Sequence, residues 1–196
     1  MFSSFNMQEK QIFIGNILFI ICCAFYLAWW LLAFKPSGTA DSDAVKANRL
    51  LIPAVLSGFA GIILAMLGIL AKTPGNKLFP GIYIFLGGIA AFFILLAVTV
   101  SLFKRQPTTE LLLIVGWGML ALAEINTLLG LGTFSRRLTV GFMAVIFAAV
   151  IISLVCYVLY YHLGLRAGYI DGMIPLLLAA LTMAGISCFM VISIRR

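Results

Sequence analysis

Residues 50–103 read LLIPAVLSGFAGIILAMLGILA, then KTPGNK, then LFPGIYIFLGGIAAFFILLAVTVSLF. Two charge-free runs, 50–71 and 78–103, flank a connector whose Pro74 and Gly75 are turn residues. A helix that crosses a bilayer needs about 20 consecutive apolar residues, and each run exceeds that. Such a pair carries more apolar surface than a small water-soluble core can hide. The stretch therefore reads as a helical hairpin that crosses a membrane twice.

The same pattern recurs on both sides of it. Charge-free runs begin at Gln11, Leu138 and Gly172, and a further run, 111–131, carries a single charge, Glu124. The expected spans are 11–34, 50–71, 78–103, 111–131, 138–163 and 172–194. The fold class is an all-α integral membrane protein, one bundle of six transmembrane helices with short connectors and no soluble domain. Composition agrees. The chain is 64% hydrophobic and 10% charged, with a mean hydropathy of +1.18, against about half apolar and a quarter charged in a soluble domain. An ordinary soluble protein, a disordered chain, a collagen and a secreted disulfide scaffold are excluded. The first run is too long for a signal-peptide core and reads as a retained span. The longest connector, 35–49, has room for a short surface helix, and Thr108 or Thr109 suits the N-cap of the fourth helix.

Thirteen Lys and Arg against six Asp and Glu give a net charge of +7. The basic residues come in ones and twos at the ends of apolar runs, as in Lys72 and Lys77, Lys104 and Arg105, and Arg136 and Arg137. That placement marks helix ends at a lipid headgroup region and leaves no basic surface for nucleic acid. Six crossings put both termini on one side. That side carries Lys10, Lys72, Lys77, Arg136, Arg137, Arg195 and Arg196; the other carries Lys35, Lys46, Arg49, Lys104, Arg105 and Arg166. Seven against six sets orientation weakly. The Asp41/Asp43 connector favours an outer location for its side, hence a plasma (inner) membrane with both termini cytoplasmic. Dual topology is the alternative.

Cys22, Cys23, Cys156 and Cys188 all lie inside apolar runs without C-x-x-C spacing, and the chain has one His. A structural zinc site needs four N or S ligands, so the cysteines read as packing residues and no metal or cofactor is expected.

Gly81 precedes Lys104-Arg105 by the interval at which Gly172 precedes Arg195-Arg196. These are the third helices of each half, the spacing a three-plus-three inverted arrangement would give; the intervening residues match poorly. Small residues one turn apart mark close helix contacts in lipid: Ser57, Gly61, Ala65 and Gly68 on the second helix, Gly87 and Ala91 on the third, Ala180, Ala184 and Cys188 on the sixth. On the first helix, Ala24 and Ala28 share a face. This pair, with chain length and span count, resembles the first helix of membrane subunits in vitamin-uptake systems, where it docks a partner subunit.

Three polar constellations remain. In the fourth span, Glu124 sits roughly 20 Å from one end at 1.5 Å per residue, too deep for its short stem to reach water. An intramembrane charge costs at least about 2.5–3.5 kcal/mol and is a functional candidate by default. Trp117, Ala121, Glu124 and Thr127 share a face, while Asn126 points elsewhere. The alternative for Glu124 is a structural carboxyl bonded to a neighbouring helix. On the first helix, Asn16, Cys23, Tyr26 and Trp30 form a polar-aromatic stripe, either lining a cavity or, for Trp29 and Trp30, serving as interfacial anchors. At the end of the fifth helix, Tyr157, Tyr160, His162 and Arg166 read either as an aromatic belt with an Arg166–Asp171 pair or as a cavity mouth that attracts an anion.

Three functions follow. A small-solute transport or solute-binding membrane subunit fits the intramembrane carboxyl and the aromatic stripes. Its ligand would be a mostly apolar or aromatic solute. With no G-x-x-x-x-G-K-[ST] loop in the chain, it would act as a homo-oligomer or with a partner membrane subunit. A structural or assembly subunit of a larger membrane complex fits the small-residue faces. A lipid-directed or intramembrane enzyme is third, because there is no H-E-x-x-H or G-x-S-x-G. Cys156 and His162 would lie on different helix faces.

Overall fold

The structure is a computed structural model that describes residues 5–34, 47–72, 75, 77–104, 109–160 and 162–194. Six of its helices are long and apolar enough to cross a membrane. They are α1 (Met7–Ala33), α2 (Leu51–Leu70), α3 (Gly81–Phe103), α4 (Thr109–Gly130), α5 (Arg136–Tyr160) and α7 (Ile174–Ile194); α6 (Leu165–Asp171) is a short turn of helix before the last. Consecutive crossings alternate in direction, so Met7 and Ile194 share the end here termed the terminal end.

The helices begin and stop where local chemistry dictates, and this shifts several expected bounds. The apolar run starts at Gln11, but α1 starts at Met7. Asn6 caps it: its side-chain oxygen accepts the Glu9 N–H at 2.8 Å, and Glu9 accepts the Asn6 N–H at 2.8 Å. This reciprocal box satisfies two otherwise orphaned donors. Expected span 138–163 ends at Tyr160, because the His162 N–H turns back to the Leu159 carbonyl at 2.8 Å. Expected span 172–194 starts at Ile174 and is preceded by α6. A 3-10 turn at Asn48–Leu50 leads into α2. The rest of the 35–49 connector up to 46, Thr108, and the basic residues Lys35, Lys46, Arg105, Arg195 and Arg196 lie outside the described residues.

The tightest contact is between α1 and α2. A Cβ on Gly15 would stand 2.8 Å from the Ala65 nitrogen and the Gly61 oxygen, and one on Gly61 would stand 2.8 Å from the Gly15 oxygen. The main chains touch, which only small residues permit. The buried face of α2 is Ala54, Gly58, Gly61, Ala65 and Gly68. Gly58, against the Cys22 sulfur, stands where the sequence suggested Ser57; the Ser57 hydroxyl instead bonds back to the Pro53 carbonyl at 2.6 Å.

The centre of the bundle is α4. Two-thirds of its apolar window is buried (67%), whereas α3 buries none of its own (0%). The third helices of the two halves are therefore unlike, since α7 packs inside against α1, α5 and α4. The core gathers Ile12 of α1, Ala121, Ile125 and Leu128 of α4, Ile146 of α5, and Met183, Ile186 and Met190 of α7. Large apolar side chains cover the outside, among them Leu56, Phe59, Phe93, Ile94 and Leu181. That outer surface suits hydrocarbon, not water. The chain is a polytopic membrane protein.

One connector is folded inward. Asn126 accepts the N–H groups of Leu78 at 2.9 Å and Phe79 at 3.3 Å, and donates to the Phe79 carbonyl at 2.8 Å. The Gly75 N–H reaches the Gly130 carbonyl at 2.9 Å. Asn126 thus serves as a substitute backbone for a non-helical segment against α4, the only kind of place where such backbone is tolerated at depth. Beside it, burial pushes the Lys77 ammonium below its ordinary pKa.

Candidate functional site: a polar seam between α1 and α4

Positions seven apart on an α-helix drift by only about 20° and so share a stripe. On α1 that stripe is Glu9, Asn16, Cys23 and Trp30, all four buried. On α4 it is Glu110, Trp117 and Glu124. The helices run in opposite directions, and the stripes meet at two levels. The Asn16 carboxamide lies beside the Glu124 carboxyl, close enough for a weak side-chain hydrogen bond. Near the other end, Tyr26 of α1 and Tyr160 of α5 are within reach of Glu110. All three glutamates of the chain lie on this seam.

The members differ in how they are satisfied. Glu9 is held at the terminal end: one oxygen accepts the Asn6 N–H and the other the Thr133 hydroxyl. Glu124 is 0% exposed and Asn16 1%. Neither carboxyl oxygen of Glu124, neither polar atom of Asn16, and not the Trp117 indole nitrogen makes a well-formed hydrogen bond to a described residue. Five buried polar atoms on one seam are thus left open. Thr127, one turn past Glu124, is buried as well.

Trp30 closes the opposite end. Its indole N–H donates to the Tyr169 carbonyl at 3.0 Å, and the Tyr169 hydroxyl donates to the Leu31 carbonyl at 3.1 Å. A Cβ on Gly172 would lie within the Trp30 ring. Trp30 is buried, so it fixes α1 to the α6–α7 corner and does not float in the headgroups. Trp29 is the more peripheral ring, bonding Asn48 at 3.1 Å.

The third constellation divides. Tyr157 is buried against Leu111 and Ile114, and Tyr160 lies 6.1 Å from the Trp30 ring. His162 and Arg166 are exposed. Asp171 is buried beside the Cys156 thiol, with one oxygen unpartnered. The structure therefore brings Asn16 beside Glu124, leaves Trp117 one heptad away on the same α4 stripe, sets Tyr26, Trp30 and Tyr160 at the far end, and leaves His162 and Arg166 on the surface.

No family model, curated protein or solved structure matches the chain.

Sequence reasoning missed Glu9, Glu110 and Ser187. Glu9 and Glu110 stand one heptad outside residues already singled out, Asn16 and Trp117, so the signal was the spacing. Both lie at the edges of apolar runs, where a charge ordinarily marks a helix end. Ser187 of α7, buried with its hydroxyl unpartnered, gives no signal beyond its place beside Ile186. Among the described residues, no three His, Cys, Asp or Glu side chains gather as a metal-ligand set.

Proposed function

We propose that the protein is the membrane-embedded subunit of a small-solute transport or solute-binding system, with its binding group at Glu124 and Asn16. One observation supports this: a fully buried carboxyl lies beside a fully buried carboxamide, and neither makes a well-formed hydrogen bond to a described residue. A buried polar group without a partner costs about 1–3 kcal/mol, and a charged one within the bilayer at least about 2.5–3.5. A purely structural helix would avoid that cost with an apolar side chain. A ligand that bonds these atoms recovers it, which is how binding sites accept orphaned groups.

Trp117 supplies an aromatic face and one N–H on the same stripe, suited to a small apolar or aromatic solute. Tyr26, Trp30, Tyr157 and Tyr160 line the far end of the seam or pack behind it. His162 and Arg166 serve as surface attraction for an anion. A location in a plasma (inner) membrane with both termini cytoplasmic belongs to the same proposal, as does a second copy or a partner membrane subunit.

A second reading, a structural or assembly subunit of a larger complex, is favoured by α3. Its outer surface is open along its length, and no atom lies within 4 Å of where a Cβ on Gly81 or Gly87 would stand. Ala24 on α1 is likewise exposed.

The test is a thermal-shift screen in detergent against vitamins, nucleobases, amino acids and aromatic metabolites, comparing wild type with Glu124→Gln. A ligand at a hundred times its Kd stabilises by about 2.7 kcal/mol. A shift lost in Glu124→Gln supports the solute reading. No shift for any solute, with Glu124→Gln less stable than wild type, refutes it.

A further inference from the structure

Three helices, not two, contribute a buried polar group without a well-formed hydrogen bond to a described residue, at similar depths. Ser187 is 5% exposed, and its hydroxyl has no partner among the described residues. It shares the face of α7 that carries the fully buried Met183, Ile186 and Met190, and α7 packs against both α1 and α4. At 1.5 Å per residue, Glu124 lies about 9 Å inside the terminal end of α4 and Ser187 about 11 Å inside that of α7. Glu9 meets Thr133 just past the end of α4, and Asn16 lies about 11 Å further in along α1. The three groups thus lie at similar depths, about 9–11 Å inside the terminal end.

We infer that Asn16, Glu124 and Ser187 together hold one small monovalent cation, of which Na+ is the type. This rests on the reading of Glu124 as a ligand-binding group and adds an ion that binds there with the solute. The donors are the two carboxyl oxygens, the Asn16 carbonyl oxygen and the Ser187 hydroxyl. These are hard oxygens, the preference of alkali and alkaline-earth ions and not of soft metals.

Charge selects between those two classes. Among the described residues, no second acid stands at this depth. Glu9 is one heptad away and bonded to Asn6 and Thr133, and Glu110 is two heptads away at the other end of α4. Of the elements packed around the site, α2 has no titratable residue, α7 has only the exposed Cys188, and Cys23 of α1 is one heptad from Asn16; Cys156, Tyr157 and Asp171 belong to the opposite end. One carboxylate neutralises one positive charge. A divalent ion would leave a net charge in hydrocarbon, at the cost already given for a charged side chain.

The experiment is the melting temperature of the detergent-solubilised full chain in NaCl, KCl and choline chloride at equal ionic strength, each at two pH values. The expected result is a Tm several degrees higher in Na+ than in choline, with a larger difference at the higher pH because protons compete for the same carboxylate. Glu124→Gln abolishes the difference. Ser187→Ala, a change too small to unfold the bundle, keeps its Tm in choline and moves the Na+ midpoint up by about tenfold, the worth of one ligand contact near 1.4 kcal/mol. Equal Tm values in Na+ and choline at both pH values overturn the inference, as does a Na+ response that Ser187→Ala leaves untouched. A solute hit without a Na+ response leaves the solute reading standing and removes the cation. A Na+ response without a solute hit does the reverse.

Discussion

Glu124 and Asn126 are two residues apart on α4, both buried, and the structure gives them opposite energetic roles. Replace each by an apolar side chain of similar length. Asn126→Leu removes three hydrogen bonds and strands the Leu78 and Phe79 N–H groups and the Phe79 carbonyl. Each stranded group costs about 1–3 kcal/mol, but Phe79 is exposed and water at the terminal end recovers part of that. The net loss is about 2–4 kcal/mol, a fall in Tm of roughly 5–15 °C for a chain of this size. Glu124→Met removes two orphaned oxygens and breaks no hydrogen bond to the described residues. Unbranched Met follows the same path as the Glu side chain. Exchange of a buried ionisable group for a well-packed apolar one is often neutral or stabilising, so stability rises by about 1–3 kcal/mol, roughly 3–10 °C. The assay is a thermal melt of each purified variant in one detergent without added solute, in choline chloride, followed by limited proteolysis over residues 71–80. Cleavage there rises in Asn126→Leu alone. If Glu124→Met lowers the Tm as much as Asn126→Leu does, Glu124 is a structural carboxyl and the functional reading fails.

Other expectations concern packing. Gly61→Ala sets a methyl group 2.8 Å from the Gly15 oxygen and forces α1 from α2, whereas Gly87→Ala meets nothing within 4 Å and gains helix propensity of about 1 kcal/mol; melts of the two variants shift in opposite directions. Trp30→Phe keeps the ring but frees the Tyr169 carbonyl, costing about 1 kcal/mol, and Gly172→Ala, which drives a methyl into the Trp30 ring, costs more; tryptophan fluorescence and Tm report both. Glu9→Ala removes one half of the α1 capping box and the partner of Thr133, lowering stability by about 1–2 kcal/mol, visible as faster amide exchange over residues 7–12.

The six crossings were legible because each span had to satisfy hydrocarbon by itself, residue by residue. Helix starts were less so. The Asn6–Glu9 box extends α1 into polar sequence that a search for apolar runs discards. The small-residue face of α2 was read nearly in register, but Gly58 and not Ser57 is buried, since a stripe of alternating three- and four-residue steps cannot be phased without its partner. Asn126 was placed off the Glu124 face. Its role in the 78–79 backbone was illegible, because the connector contacts it makes are tertiary.

The position of α4 is itself a consequence of its composition. It is the least apolar of the six spans, and it is the one that lipid touches least. Its polar residues find neighbours or each other only in the centre, so any other placement would expose Glu124, Asn126 or Thr127 to acyl chains. α3, with its buried Thr99 bonded to the Leu95 carbonyl at 2.7 Å, has no comparable demand and stays outside. Burial explains why a carboxyl can exist at that depth, but not why this one makes no well-formed hydrogen bond to a described residue. Asn126 shows that α4 can satisfy a buried polar side chain completely when the role is structural. Glu124, Asn16 and Ser187, at similar depths on three helices and each without a well-formed hydrogen bond to a described residue, are the groups that the proposed ligand would satisfy.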